Sequence, residues 1–204
     1  MSEHLTADEA IAQLQKGRFL VLVDSREREN EGDLIVAAEH LTTEKAAFMM
    51  REARGMFLLA TTAEHLSRIG IELIEPRGGD VQMTPRMGLP FDARNGIRTG
   101  IAAADRAETV RQVLLSESGP EDFVVPGHVQ PLAEHEQGFA MRQGHTEGSV
   151  GLARLAGLFP AVMMSEVLTE DGEMAGREAL AAFARKHQIG LATVDDVVAR
   201  SSKG

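Results

Sequence analysis

The most densely charged run in this chain is Arg26, Glu27, Arg28, Glu29, Asn30, Glu31, Gly32, Asp33. Four acids interleaved with two arginines suit a divalent cation held beside an anionic substrate. Mg²⁺ commonly takes one or two protein carboxylates and fills its remaining positions with water or substrate oxygens. A mixed-charge run is also a common form of solvated hairpin loop, but such loops usually span about two to five residues and this one is longer. A second group, Arg142, Gln143, Gly144, His145, Thr146, Glu147, stands immediately before a helical stretch. A helix N-terminus offers unpaired N–H groups and the positive end of the dipole. Gly144 for close approach, Thr146 as hydroxyl donor and Arg142 as counter-charge would therefore cradle a phosphate, with His145 free to face a metal. The plainer alternative makes Thr146 a helix cap and Gly144 a turn residue.

Two single residues stand out beside these runs. His128 lies in the turn Pro126-Gly127-His128-Val129, where most histidines are satisfied structural residues and some move protons. Glu166 interrupts the apolar run AVMMSEVL. A carboxylate in a buried strand is costly unless paired or functional, and desolvation would raise its pKa toward that of a useful general base. His4, His40, His65, His135 and His187 read as surface or packing residues, and the pairs Met49, Met50 and Met163, Met164 as core.

The elements that must position these groups follow from periodicity and caps. Thr6 and Glu9 have capping-box spacing ahead of Ala7, Ala10, Ile11 and Leu14, a helix that Gly17 stops. Buried strands are expected at Phe19 to Asp24, Leu34 to Ala38, Met56 to Thr61, Ala161 to Leu168 and Gly190 to Thr193. Helices are expected from Thr42 or Thr43 through Met50, over Ala63 to Ile69, Ala103 to Leu115, Glu147 to Ala156 and Met174 to His187, and after Thr193. Val124 to Met141 reads as strand and loop. Glu75 to Asn95 is rich in Pro and Gly without a sustained period, and reads as a long functional loop. With no repeat and no linker, the 204 residues form one α+β domain.

Composition narrows the chemistry. Lys plus Arg is 21 and Asp plus Glu is 31, so the net charge of −10 provides no footprint for nucleic acid or an anionic membrane. The absence of Trp and Tyr removes a stacking platform for bases. Without cysteine there is no disulfide or thiolate, so any metal must sit on His, Asp, Glu or backbone oxygen. The N-terminus has no basic and apolar leader pattern, and a cytoplasmic setting is the expectation.

Taken in order, VDSRERENEGDLIVAAE from Val23, TGIAAADRAETVR from Thr99, PGHVQPL from Pro126, RQGHTEG from Arg142, LAGLFPAVMMSEV with LTEDGEMA from Leu155 to Ala175, and KHQIGLATVDDVV from Lys186 resemble the 3,4-dihydroxy-2-butanone 4-phosphate synthase family of riboflavin biosynthesis over nearly the whole chain. The resemblance implies a single α+β domain with a mixed sheet and surrounding helices, and a homodimer with active sites near the subunit interface. It also implies a Mg²⁺- or Mn²⁺-dependent conversion of ribulose 5-phosphate, through an enediolate, to L-3,4-dihydroxy-2-butanone 4-phosphate and formate. By position, Glu29 and His145 match the family's metal ligands and also contact substrate. Arg28 and Asp33 match substrate contacts. Arg142, Gly144 and Thr146 match the phosphate cradle, with Gln143 where glycine is usual. Glu166 and His128 match the groups that move protons, and Asp33 belongs to the same catalytic set.

The departures fall where the sugar's carbonyl end is expected. REARGMFL stands in place of RHGSGIVC, bringing Glu52, Ala53, Arg54 and Leu58, while Arg98, Val125 and Ser165 replace a Thr, an Arg and a Cys. Arg54 and Arg98 would add positive charge to the pocket, which an extra carboxylate or phosphate on the substrate could use. Two alternatives stay open on the residues alone: a paralogue acting on another small sugar phosphate, and a catalytically silent sugar-phosphate binder.

Overall fold

The computed structural model describes residues 4–25, 27–78 and 84–203; Arg26 of the acidic run and residues 79–83 of the long Pro/Gly-rich stretch lie outside the described residues. Eight strands form one mixed sheet: β1 (Leu20–Val23), β2 (Gly32–Ala37), β3 (Leu58–Thr61), β4 (Arg86–Met87), β5 (Phe91–Ala93), β6 (Phe123–Ala133), β7 (Val162–Glu166) and β8 (Gly190–Thr193). Their order is β4-β6-β3-β7-β2-β1-β8, with β5 also paired to β6. The β1/β8 and β3/β6 pairs are parallel and the others antiparallel.

The α-helices are α1 (Ala7–Gln15), α2 (Thr43–Phe48), α3 (Ala63–Arg68), α4 (Ala103–Val113), α5 (His145–Leu155), α6 (Arg177–His187) and α7 (Val194–Ser201). Side chains alternate across a strand, so each central strand feeds two cores. Leu20, Leu22, Ile35, Ala37, Leu58, Ala60, Val162 and Met164 pack with residues of α1, α5 and α7. Val21, Val23, Leu34, Val36, Leu59 and Met163 pack on the opposite face with residues of α2, α3, α4 and α6. Burial on both faces is why these strands read as unbroken apolar runs.

Boundaries differ from the sequence expectation in four places that matter for the site. The stretch Glu75 to Asn95 holds β4 and β5, two short strands that exist because β6, eleven residues long, offers them a partner edge. After Phe48, α2 loosens into a π-helical turn over Met49–Ala53, and Arg54 follows at φ 71°. Helix α5 starts at His145 with Gly144 as its N-cap, so Thr146 lies inside the first turn and does not cap the helix. Helix α6 starts at Arg177, three residues later than Met174.

Candidate active site

Strand alternation carries Asp33 to the α5 side of the sheet with Ile35 and Ala37, and Glu166 to the same side with Val162 and Met164. Antiparallel register sets Asp33 directly opposite Glu166. They border a cavity of about 280 Å³ whose walls are Glu29, Glu31, Asp33, Leu58, Pro85, Met87, Leu132, Arg142, His145, Thr146, Met164 and Glu166. Glu166 is the last residue of β7 rather than its middle and is half-buried, and its Oε2 accepts from the Met56 N–H at 2.8 Å. Gly55 packs so closely on Glu166 that a Cβ there would lie 2.5 Å from this same oxygen. The fully desolvated carboxyl is therefore Asp33: burial, only partly offset by His145 and reinforced by Glu166, Glu29 and Glu31, pushes its pKa up to about 6. Burial and the neighbouring Glu29 also raise Glu31.

The acidic run folds around Asp24, a residue the sequence places at the end of a strand. Its carboxylate accepts from Arg28 Nη1 at 2.7 Å and from the N–H groups of Glu29 and Glu31 at 3.1 and 3.0 Å. Burial alone would push Asp24 up, but Arg28, His145 and those two N–H groups outweigh it and hold its pKa below the usual carboxylate value. Arg28 Nη1 also bonds Glu29 Oε2 at 2.6 Å, so Arg28 braces the acids from behind the cavity wall.

Asp24, Glu29 and His145 bring one ligand atom each within 4.8 Å of one another. Asp24 accepts from three donors and Glu29 Oε2 from Arg28 alone among the described residues, and Glu29 Oε2 and His145 Nδ1 lie 3.9 Å apart, a gap that a divalent ion bonded to both can bridge. A carboxylate with an imidazole, and room for water or substrate oxygen in the adjoining cavity, is a donor set that fits Mg²⁺ or Mn²⁺.

The other wall is the start of α5. Gly144 is needed there because a Cβ would collide with the Arg142 guanidinium. Arg142 is 9% exposed and donates from Nη1 to Glu147 Oε2 at 2.7 Å, while its buried Nε has no hydrogen-bond partner. Glu147 Oε1 accepts from the His135 N–H at 3.0 Å. The pair fixes Arg142 beside the first turn of α5, where free N–H groups favour an anion. Gln143 is exposed and turned away, its Nε2 donating to the Phe139 carbonyl at 3.3 Å.

His128 does not border this cavity. It lies on β6 with its ring 39% exposed, and Asp92 of β5 accepts both from its N–H at 2.9 Å and from Nδ1 at 2.6 Å. Gly100, at φ 84°, closes over this pair with no room for a Cβ. Of the substituted positions, only Leu58 lines this cavity. Arg54 borders a shallow groove on the far side of Glu166, its Nη1 donating to the Leu168 carbonyl at 3.0 Å. Glu52 joins His187 and Arg51 at the surface, Arg98 and Val125 are exposed, and Ser165 is buried on the opposite face of β7. The expected gain of positive charge in the pocket from Arg54 and Arg98 is thus not found within this chain: one reaches backward and the other faces outward. Sequence reasoning missed Glu31 as a cavity wall and Asp24 as the hub of the loop; the internal carboxylate-to-N–H geometry leaves no local sequence signal.

Comparison with known proteins identifies the family. The sequence model of the 3,4-dihydroxy-2-butanone 4-phosphate synthase family matches residues 8–200. A 3,4-dihydroxy-2-butanone 4-phosphate synthase from Agrobacterium fabrum is 41% identical over 94% of this chain and 89% of its own length. Its counterpart from Pseudomonas syringae pv. tomato is 42% identical over 94% of this chain and 52% of its own length. The chain spans about half the length of several curated relatives it matches. Among solved structures, a 3,4-dihydroxy-2-butanone 4-phosphate synthase in complex with two magnesium ions superposes with a TM-score of 0.88 at 33% identity, covering 98% of this chain and 97% of that one. The chain belongs to the 3,4-dihydroxy-2-butanone 4-phosphate synthase family.

Proposed function

We propose that this chain, as one domain in a cytoplasmic setting, converts D-ribulose 5-phosphate to L-3,4-dihydroxy-2-butanone 4-phosphate and formate with Mg²⁺ or Mn²⁺. The observation that carries the reading is the convergence of Glu29, Asp33, His145 and Glu166 on one cavity whose opposite wall is Arg142 and the start of α5. Several relatives bear the name of this activity, and a family structure with two magnesium ions supports the metal assignment.

In this reading Arg142, Gly144, Thr146 and the adjoining Gln143 backbone hold the phosphate at the helix N-terminus. Glu29 and His145 hold the ion, which when bound stabilises negative charge developing on the sugar oxygens. Asp33 orients the hydroxyls and joins the proton relay, Arg28, which does not border the cavity, acts by bracing Asp24 and Glu29 rather than by the substrate contact expected of it, and Glu166 takes a proton from the carbon beside the carbonyl to give the enediolate. His128 supplies the second proton-transfer group. Because it lies outside this cavity, we assign it to the cavity of a second copy in a homodimer. The exposed apolar Leu89, Ile101 and Val125, close to the Asp92–His128 pair in the chain, support an interface there.

Formate release from ribulose 5-phosphate, first with Mg²⁺ and then with EDTA, tests the reading; metal-dependent formate is expected. In the same assay Glu166→Gln should lower kcat by about 10²- to 10⁴-fold with substrate affinity largely kept, as for loss of a proton-transfer group. A folded, Mg²⁺-binding protein that releases no formate would turn the assignment to another sugar phosphate.

A further inference from the structure

The acidic run has to reverse direction between β1 and β2 while carrying Asp24, Glu29 and Glu31, whose charges repel one another. The hydrogen bonds to the Asp24 carboxylate supply part of the restraint from within. Another part comes from about 150 residues away in the sequence. Arg177, the first residue of α6, donates from Nε to Asn30 Oδ1 at 2.7 Å and from Nη2 to the Asp24 carbonyl at 3.1 Å. These two acceptors stand at opposite ends of the turn, and Asn30, flanked by Glu29 and Glu31, is held at φ 56°. A guanidinium has a rigid fork, so it fixes the spacing between its acceptors as a flexible ammonium cannot. The first position of a helix is also a poor place for a cation, next to the positive end of the dipole. Helix formation therefore gives no reason for an arginine at this position, whereas the loop does.

We propose that Arg177 is a positioning residue that holds the acidic loop in its metal-binding shape, acting through Asn30 and Asp24. The inference rests on the reading of Glu29 and His145 as metal ligands. Charge and geometry give opposite signs. As a nearby cation, Arg177 repels a divalent ion, so on charge alone its removal tightens metal binding. As a clamp, its removal loosens the loop and weakens binding, as loss of an outer partner of a ligand set does.

The experiment is titration of Mn²⁺ alone into the full chain, with free Mn²⁺ read by electron paramagnetic resonance and folding checked by circular dichroism. Arg177→Met is expected to weaken Mn²⁺ binding about 10-fold. Arg177→Lys, which keeps the charge but cannot span both acceptors, is expected to weaken it as well. In an Asn30→Gly background, where glycine suits the positive φ but one acceptor is gone, Arg177→Met should cost much less, since the two residues act as one unit. Unchanged or tighter binding by folded Arg177→Met overturns the clamp. Should that variant not fold, wild-type affinity in Arg177→Lys overturns it instead. A wild-type chain that binds no Mn²⁺ overturns the metal site, and the clamp with it, and is distinguished from failure of the clamp alone by that first titration.

Discussion

Two charged regions, one lining the cavity and one reaching it only through Arg142, are built on opposite terms. On the α5 side, Glu147 is paired with Arg142, and Glu134 with both terminal nitrogens of Arg154, so acids and bases balance. On the loop side, Asp24, Glu29, Glu31, Asp33 and Glu166 face Arg28 and His145, and acids are in surplus. The balanced side is a frame that holds one arginine in place. The unbalanced side stores carboxylate charge for a ligand that is itself positive, and the pKa of Asp33, raised first by burial, is raised further by its acidic neighbours. Identical residue types thus serve as scaffold or as site according to whether their charges cancel.

Breaking the balanced side should have the largest effect on stability. Glu147→Ala leaves the buried Arg142 guanidinium without its carboxylate and the His135 N–H without its acceptor, and is expected to cost about 3–5 kcal/mol in urea denaturation. A loss below about 1 kcal/mol would mean that the pair is not the frame described.

On the unbalanced side the sign reverses. The folded state holds the Asp33 proton up to about pH 6, while the unfolded chain releases it near 3.8. In metal-free protein, stability is therefore lost as pH rises from about 4 to 6, and the loss is complete above that window. Asp33→Asn should remove this dependence and stabilise metal-free protein at pH 7 by roughly 3 kcal/mol, while impairing formate release. Urea melts of both proteins at pH 4 and 7 check it; parallel pH profiles would place the surplus charge elsewhere. The smallest effect on the fold belongs to Glu29→Gln. It should weaken Mg²⁺ binding about 10-fold and leave the melting temperature of the metal-free protein nearly unchanged, because Glu29 lies at the exposed rim of the loop.

The same division explains what could be read from the residues alone. Glu29, Asp33, Arg142, His145, Thr146 and Glu166, which the structure brings to one cavity, were legible as candidates because each sits in a short run whose composition suits a metal, a phosphate or a proton transfer, and Asp33 and Glu166 lie at the ends of apolar strands. Strands β4 and β5 were not legible, since two and three residues acquire strand geometry only against the edge of β6. Neither was the transfer of the desolvated role from Glu166 to Asp33, which depends on where β7 ends. Glu52, Arg98 and Val125 align with pocket positions yet face elsewhere within this chain. Arg177 lies beyond local reading altogether, because its partners are 147 and 153 residues away.

The pairing of Asp33 with Glu166 across β2 and β7 has a consequence for assembly of the sheet. Sliding β2 by a single residue would exchange its two faces, sending Asp33 among the aliphatic side chains beneath α6 and bringing Leu34 to the cavity. A misaligned sheet would then bury an acid with no compensating base, which makes the wrong alignment unstable from the moment it forms. The carboxylates that serve the ligand in the finished protein thus also act as alignment marks while the chain is folding.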